Sequence, residues 1–491
     1  MERSHIPATG EAHDALIEQL EGFATGDADF KGGRTWSLVY WAGDAHHEVC
    51  ERAHNLFMAK NALNPLAFKS LKRMEREVIG MTASMLHGPP SAVGTMTSGG
   101  TESLLLAVKT YRDRARKRRP WVLSPNMVLP ETAHVAFDKA AHYFGVKKKT
   151  APVDADGRVD VRAMRRLIDR NTVMLAASAP QYPHGAVDPI PELGELAESR
   201  GLPLHVDACF GGFVLPWLER LGVDLPEWDF RIPGVTSISA DLHKYGYAPK
   251  GASALVYRDM STLRHQFFVS TGWSGGIYIS PSLPGTRPGG AIAAAWTALR
   301  AMGEDGYLRL AGEAWGAAQA LRAGITAIDG LRLYGRPDST IVTWGASDPR
   351  LDVYALADQL AARGWTVDRQ QAPPSVHCTV NASNAPVVPR YLDDLRDAVA
   401  HVRAHPELAT RGEAAVYGLM AKIPVKGLVA REVLKVLEQM YGAEGGEVDL
   451  AQPPEGDRTQ RLLARYGEPV FGALDALARA RARLRLALRR R

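Results

Sequence analysis

Between about residues 65 and 325 the chain alternates two hydrophobic rhythms. Short apolar runs at 172–179, 204–207, 236–240 and 252–257 have the length and flanking turns of buried strands. Between them apolar residues recur at helical spacing, as at Leu104, Leu105, Val108 and Tyr111. Such alternation predicts an α/β fold, a doubly wound, mostly parallel sheet with helices on both faces. Ligands of open α/β sheets bind outside the carboxyl ends of the strands. Helical patterns at 14–23 and 44–58 make residues 1–64 a helical N-terminal arm, closed by Asn64-Pro65. After the large domain (65–325), strand candidates 340–345 and 375–380 and helical patterns 353–363 and 390–405 predict a smaller α+β domain over 326–441. The Gly/Glu/Pro-rich stretch 442–457 reads as a linker, and 442–491 as linker plus basic tail.

Composition narrows the class. With 491 residues, 46% of them hydrophobic, the chain can bury one or two substantial cores. No apolar run reaches about 18 residues and the N-terminus lacks a signal-peptide core, so a soluble, cytoplasmic protein is expected. Cys50, Cys209 and Cys378 are an odd count without CxxC spacing, which fits reduced thiols rather than a disulfide frame or a zinc site. The net charge of +5 belongs to the tail, where ten arginines face three acids from Asp457 onward. The arginines of 474–491 alternate with period two, which smears any apolar helix face. A solvated or subunit-packing helix is the first expectation, weak contact with an anionic membrane surface the second. Nucleic acid is not expected, because only Tyr466 and Phe471 interleave with the charges.

Four segments carry chemistry. Lys244 lies in Ser237-Ile-Ser-Ala-Asp-Leu-His-Lys244-Tyr-Gly-Tyr-Ala-Pro-Lys-Gly251, where a short apolar strand runs into a Gly/Pro-punctuated turn. Asp207 closes the strand of Gly201-Leu-Pro-Leu-His-Val-Asp207-Ala-Cys-Phe-Gly211-Gly212, a place that suits either a cationic ring nitrogen or a helix N-cap. Thr97-Ser-Gly-Gly-Thr101-Glu precedes a helical pattern, so Ser98, Gly99, Gly100 and Thr101 could bring free amides to an anion or simply start the helix. His134 enters another helical segment, where packing or capping would also explain it. Together they supply a phosphate cradle, a ring to stack, a carboxylate for a pyridinium and an amine for a Schiff base. Pyridoxal phosphate is the cofactor that requires this set.

The chain resembles the sphingosine-1-phosphate lyase family, within the pyridoxal-phosphate-dependent group II decarboxylases of fold type I, over about residues 33–427. The stretches that carry the resemblance are 97–112, 159–188 with Pro180-Gln-Tyr-Pro-His-Gly185, 205–213, 234–253 and 272–290. The runs His243-Lys-Tyr-Gly-Tyr-Ala-Pro-Lys-Gly251 and Gly275-Gly-Ile-Tyr-Ile-Ser-Pro281 resemble the lyase branch specifically. The resemblance implies that Lys244 holds the cofactor, Asp207 pairs with its ring nitrogen, His134 stacks on the ring, and the Gly-Gly turn with His243 holds its phosphate. It implies the soluble bacterial type, and a homodimer with shared active sites.

The reaction so implied breaks the Cα–Cβ bond of a phosphorylated sphingoid base, giving a long-chain aldehyde and phosphoethanolamine. Tyr40, Tyr182 and Lys250 stand where the family carries two substrate-site tyrosines and a second lysine. A phenol can exchange protons near neutrality only if its pKa falls from about 10, and Lys250 is the expected cause. Tyr278, Ser280 and Arg287 resemble the segment that reaches the neighbouring subunit's site. Asn64 departs from the family's usual histidine; asparagine can donate a hydrogen bond but cannot become cationic, so a phosphate would be held less strongly. Two competing readings are an amino-acid decarboxylase with the same cofactor shell and a non-enzymatic surface binder led by the basic tail.

Overall fold

The apolar runs of the central region pair into one seven-stranded sheet in a computed structural model, which describes residues 5–64, 66–422 and 426–442. Its strands are β1 Val93–Thr97, β2 Asn126–Pro130, β3 Lys147–Ala151, β4 Thr172–Ser178, β5 Leu204–Asp207, β6 Val235–Ala240 and β7 Ser253–Tyr257, in the spatial order β1-β7-β6-β5-β4-β2-β3. Residues of β4 alternate between two cores, Leu175 and Ala177 in one and Met174 and Ala176 in the other. Both faces are therefore covered, and the strand reads as a continuous apolar run. The pairings from β6 through β5, β4 and β2 to β3 are parallel, whereas β7 runs antiparallel to both β1 and β6. Residues 241–252 form no crossover helix, and the loop instead turns back to join antiparallel neighbours. Lys244 thus sits in a hairpin loop at the sheet edge.

A hairpin of β8 Phe268–Trp273 and β9 Gly276–Ser280 stands off the large domain with Val269, Trp273 and Ile277 exposed. The second sheet comprises β10 Leu331–Tyr334, β11 Ile341–Ala346, β12 Asp368–Gln371 and β13 Pro374–Thr379, antiparallel throughout, in the order β10-β11-β13-β12. Helices Val353–Ala361 and Val388–Ala404 back it around Trp344, Trp365 and Tyr391. Helix Gly289–Thr326 joins the two domains, interrupted at Gly303 by a positive φ of 62°. Ile292 and Ala295 lie in the large core, Leu321 and Ile325 in the small one, so the expected boundary at 325 falls at the end of an element that both share.

The N-terminal arm departs from an all-helical expectation. Helices His13–Phe23 and Asp44–Phe57 form as read, but the extended segment between them lies along the small domain. The Trp36 amide donates to Thr366 and the Trp36 carbonyl accepts from Thr379, with the Trp36 ring in the small core. Among the described residues no helix is long and apolar enough to cross a membrane. The expected linker and tail, from 443 onward, lie outside the described residues.

Candidate active site

A cleft of about 510 Å³ opens where the carboxyl ends of β1, β2, β4, β5 and β6 meet the segment around Tyr40 and the end of β13. Lys244, Asp207, His243, His134, the turn of Ser98 to Thr101, Tyr40, Tyr182 and Lys250 all line it. Each segment arrives by the same local logic: an apolar strand buried on both faces must end at the sheet edge, and the next residues turn there.

Lys244 is anchored by a carboxylate that the sequence reading passed over. Its Nζ lies 3.1 Å from Asp241 Oδ2, and Asp241 is 2% exposed. Burial opposes the charge on Lys244, but Asp241 overrides it and holds the ammonium above its ordinary pKa. Burial also pushes against the charge of Asp241, which Lys244 and His243 nevertheless keep below the usual carboxylate range. The other oxygen, Oδ1, is buried with no hydrogen-bond partner, on a residue that lines the cleft. An acid three residues before the lysine in one tight turn was a readable signal.

Asp207, 7% exposed, accepts from the Cys209 amide at 3.0 Å through Oδ1, which leaves Oδ2 for a ligand. The helix Gly100–Arg118 has no side-chain cap, so its first-turn amides and dipole are available to an anion. A Cβ on Gly100 would lie 2.8 Å from both Asp241 Oδ2 and Cys209 Sγ, and one on Gly99 would lie 3.2 Å from His243 Cε1. Close approach thus requires glycine at 100, and at 99 leaves a Cβ only tight room against His243. Ser98 differs from expectation: its amide and hydroxyl both donate to Glu102 Oε2 at 2.7 Å, which commits them to bracing the turn before the helix. Glu102 Oε1 in turn accepts from the Leu283 amide at 3.0 Å. His134 Nδ1 accepts from the Ala136 amide at 3.1 Å, capping the next helix with its ring at the cleft. His243, 15% exposed at its side chain, loses basicity chiefly by burial.

On the opposite wall, Lys250 Nζ donates to the Leu38 and His243 carbonyls and stands 5.5 Å from the Tyr40 ring centroid. The ammonium is over the ring rather than at the phenol oxygen, and the expected lowering of a tyrosine pKa by Lys250 does not occur. Burial holds Tyr40 well above its ordinary pKa; burial, then Asp368, does the same for Tyr182. Lys250 itself is shifted down, first by burial and then by Lys244. Tyr182 donates to Asp368 Oδ2 at 3.0 Å and lies over His377 with ring centroids 4.1 Å apart.

Four expected substrate contacts are not brought to the cleft of their own chain. Asn64 is exposed, its Oδ1 accepting from the Leu66 and Ala67 amides at 3.0 and 3.2 Å. Tyr278 is on β9 of the projecting hairpin, and the buried Ser280 hydroxyl donates to the Ser282 carbonyl at 2.8 Å. Arg287, 7% exposed, is paired with Glu75 and donates to the Met96 carbonyl at 3.2 Å, a structural clamp. Thr379 was missed as well: it belongs to a strand of the other domain, and nothing in its sequence neighbourhood points to the cleft.

The described residues therefore fit pyridoxal phosphate: an amine, a strand-end carboxylate, a glycine cradle at a helix start and an orphaned buried oxygen converge on one cavity. Residues 55–343 match the pyridoxal-dependent decarboxylase conserved domain. The chain is 42% identical to the sphingosine-1-phosphate lyase of Arabidopsis thaliana over 434 residues, 87% of this chain and 79% of that one. It belongs to the sphingosine-1-phosphate lyase family. The solved sphingosine-1-phosphate lyase of Burkholderia pseudomallei K96243 superposes with a TM-score of 0.81 at 38% identity, covering 89% of this chain and 97% of that one. The glutamate decarboxylase of Lactobacillus brevis, at 20% identity and a TM-score of 0.72, shares the fold. Members of this family are enzymes that depend on pyridoxal phosphate and act on small molecules, which is what the cleft is built to hold.

Proposed function

We propose that this cleft cleaves the Cα–Cβ bond of a phosphorylated sphingoid base, releasing a long-chain aldehyde and phosphoethanolamine. The observation that carries the reading is the second wall: Tyr40, Tyr182 and Lys250 share one cavity with Lys244. Loss of carbon dioxide needs no base at a β-hydroxyl, whereas aldehyde release requires that hydroxyl to give up its proton.

The cofactor supplies an electron sink for a bond at the amine-bearing carbon. Lys244 would offer the amine that anchors its aldehyde, and Asp207 Oδ2 would hold a proton on its ring nitrogen. The amides of Gly99, Gly100 and Thr101, with His243, would receive its phosphate, while Ser98 holds the turn through Glu102. His134 would cover the ring. Which bond breaks is set by substrate orientation, and Tyr40, Tyr182 and Lys250 face the substrate side. The proposed assembly is a cytoplasmic homodimer with shared sites, in which Tyr278 on the exposed hairpin is best placed to reach the second subunit. Asn64 would meet substrate only across that interface.

The test is a product assay. Purified holoenzyme is incubated with sphingosine 1-phosphate, glutamate and tryptophan. Aldehyde from the first alone supports the proposal; carbon dioxide from an amino acid, without aldehyde, would replace it with a decarboxylase. Borohydride reduction followed by peptide mapping should label Lys244, and a label elsewhere would overturn the cofactor assignment.

A further inference from the structure

A proton drawn from substrate needs an acceptor, and the three acids that line the cleft are committed on the cofactor side. Asp207 accepts from the Cys209 amide, Glu102 from Ser98 and the Leu283 amide, and Asp241 is paired with Lys244. One further carboxylate meets the opposite wall. Asp368, at the start of β12, accepts from the Tyr182 hydroxyl at 3.0 Å through Oδ2. A phenol can only donate to a carboxylate, so the Tyr182 hydrogen points at Asp368. The lone pairs of its oxygen are left for the cleft, which Tyr182 lines with 37% of its surface exposed.

The pair is not part of an ion-pair lattice. Arg369, the next residue, turns away along the alternation of the strand and pairs with Asp358 and Glu413, and among the described residues no ion pair engages Asp368. Tyr182 is held to the contact from both sides. Its ring lies over His377 with centroids 4.1 Å apart, and the next carbonyl, of Pro183, accepts from the Thr343 hydroxyl at 2.7 Å and from Gln370 Nε2 at 3.0 Å. The Gly185 carbonyl accepts from the Ser339 hydroxyl at 2.8 Å. A loop that leaves β4 of the large domain is thus fixed by side chains of the small one. Burial, and then Asp368, raises the Tyr182 pKa, so this phenol does not ionise by itself and can accept a proton only while handing its own to the carboxylate.

We infer that Tyr182 is the group that takes the β-hydroxyl proton of the substrate, and that Asp368 is its positioning residue, orienting the phenol as an acceptor and receiving the proton it gives up. The inference deepens the lyase reading and rests on it. The substrate O–H bond breaks as its proton moves to the Tyr182 oxygen, and the Tyr182 O–H bond breaks as its proton moves to Asp368 Oδ2. The electron pair released at the hydroxyl oxygen completes the aldehyde C=O bond as Cα–Cβ parts. The Cα–Cβ pair ends in a new C–H bond at Cα, so one proton leaves the substrate and one is taken up, and no oxidant or further reactant is needed.

The test uses holoenzyme and sphingosine 1-phosphate. Asp368→Asn keeps an oxygen that can accept from Tyr182 but cannot hold its proton, and should lower kcat roughly 10- to 100-fold, the low end of what a positioned acid or base contributes. KM should stay within about threefold, with the visible cofactor spectrum and apparent Tm unchanged. Tyr182→Phe should lose at least as much, and the Tyr182→Phe/Asp368→Asn pair should be no slower than Tyr182→Phe alone, because the carboxylate acts only through the phenol. Wild-type kcat in Asp368→Asn, a loss confined to KM, a loss that comes with a lowered Tm, as a mere clasp between domains would give, or multiplying losses in the pair would each overturn the assignment. Should wild type release no aldehyde at all, the lyase reading fails. The Tyr182–Asp368 contact is scored apart from turnover by the ¹³C spectrum of enzyme labelled at tyrosine Cζ, with the Tyr182 signal assigned by its loss in Tyr182→Phe. That signal should move upfield in Asp368→Asn as the charge-assisted hydrogen bond is lost, and a signal that stays in place would sink the inference.

Discussion

Replacing Arg287 with methionine tests whether that residue supports the fold or contacts the substrate. The guanidinium is 7% exposed and pairs with Glu75, which is 3% exposed. Glu75 Oε1 also accepts from the Met96 amide at 3.0 Å, while Arg287 donates to the Met96 carbonyl, so the pair grips both sides of one residue of β1. Met96 lies two residues before the turn at Ser98, and the pair thereby fixes where the cradle begins. Methionine leaves the Glu75 carboxylate buried, with the Met96 amide still donating to it but only Lys72, at 3.6 Å, as a charged partner. Breaking a buried pair from one side costs about 3–5 kcal/mol, or roughly 6–10 °C in apparent Tm. In wild type Arg287 keeps the Glu75 pKa low against the opposing effect of burial, so the pair stabilises above the unfolded carboxylate value and that contribution fades as pH falls below it. In Arg287→Met burial prevails, the folded value rises, and the penalty is full at pH 7 and shrinks toward pH 4. Thermal melts of the holoenzyme at both pH values read this. The double variant Glu75→Leu/Arg287→Met should recover most of the lost stability, since no charge is stranded. A single variant that melts within 1 °C of wild type but shows a raised KM would refute the clamp and restore a role in substrate binding.

Three further substitutions test buried contacts in and beneath the sheet edge. Gly100→Ala places a methyl group 2.8 Å from Asp241 Oδ2 and Cys209 Sγ, and should cut cofactor retention on dialysis at least about tenfold, read from visible absorbance; full retention would contradict the cradle. Asp241→Asn removes the main group that raises the Lys244 pKa while burial remains, so cofactor capture by apoenzyme should extend to lower pH, and a shift to higher pH would refute the ion-pair argument. Asp188 is fully buried, accepts from the Ser178 and Val159 amides, and is pushed up to about 7 by burial. Its folded value exceeds its unfolded one of about 3.9, so its contribution to stability falls as pH rises from about 4 through 7. Asp188→Asn should flatten that slope in denaturant melts, and an unchanged slope would point to another group.

What the sequence disclosed tracks how local the signal is. Strand β5 was read to the residue, and β4, β6 and β7 to within one, because strands buried on both faces appear as uninterrupted apolar runs. Strand β3, Lys147–Ala151, has the sequence Lys-Lys-Lys-Thr-Ala, is mostly exposed at the sheet edge, and carries no such run. The reversal of β7 was invisible to periodicity, which does not register strand direction. The residues facing the cofactor's place were legible because each sits next to its own strand end. Thr379, which lines the cleft, and Asp368, which accepts from Tyr182, were not, since both belong to the other domain and only the tertiary fold brings them to this wall.

That division has a chemical consequence. Every group disposed to hold the cofactor hangs on the edge of the seven-stranded sheet, whereas the small domain supplies Asp368 at the start of β12, which holds Tyr182, and Thr379 at the end of β13, which lines the opposite side of the cleft. The Tyr40 segment is stitched to that same sheet through Trp36. Fold relatives that share the large-domain edge can therefore share the cofactor chemistry, while the reaction that follows is governed by what the small domain presents across the cleft. Helix Gly289–Thr326, rooted in both cores, sets the distance between the two walls, so a substitution that loosens its Gly303 kink should disturb turnover before it disturbs cofactor binding. Gly303→Ala, strained at a φ of 62°, makes that distinction measurable as a fall in kcat with unchanged cofactor affinity, and an equal loss of both would place the two walls in one mechanical unit.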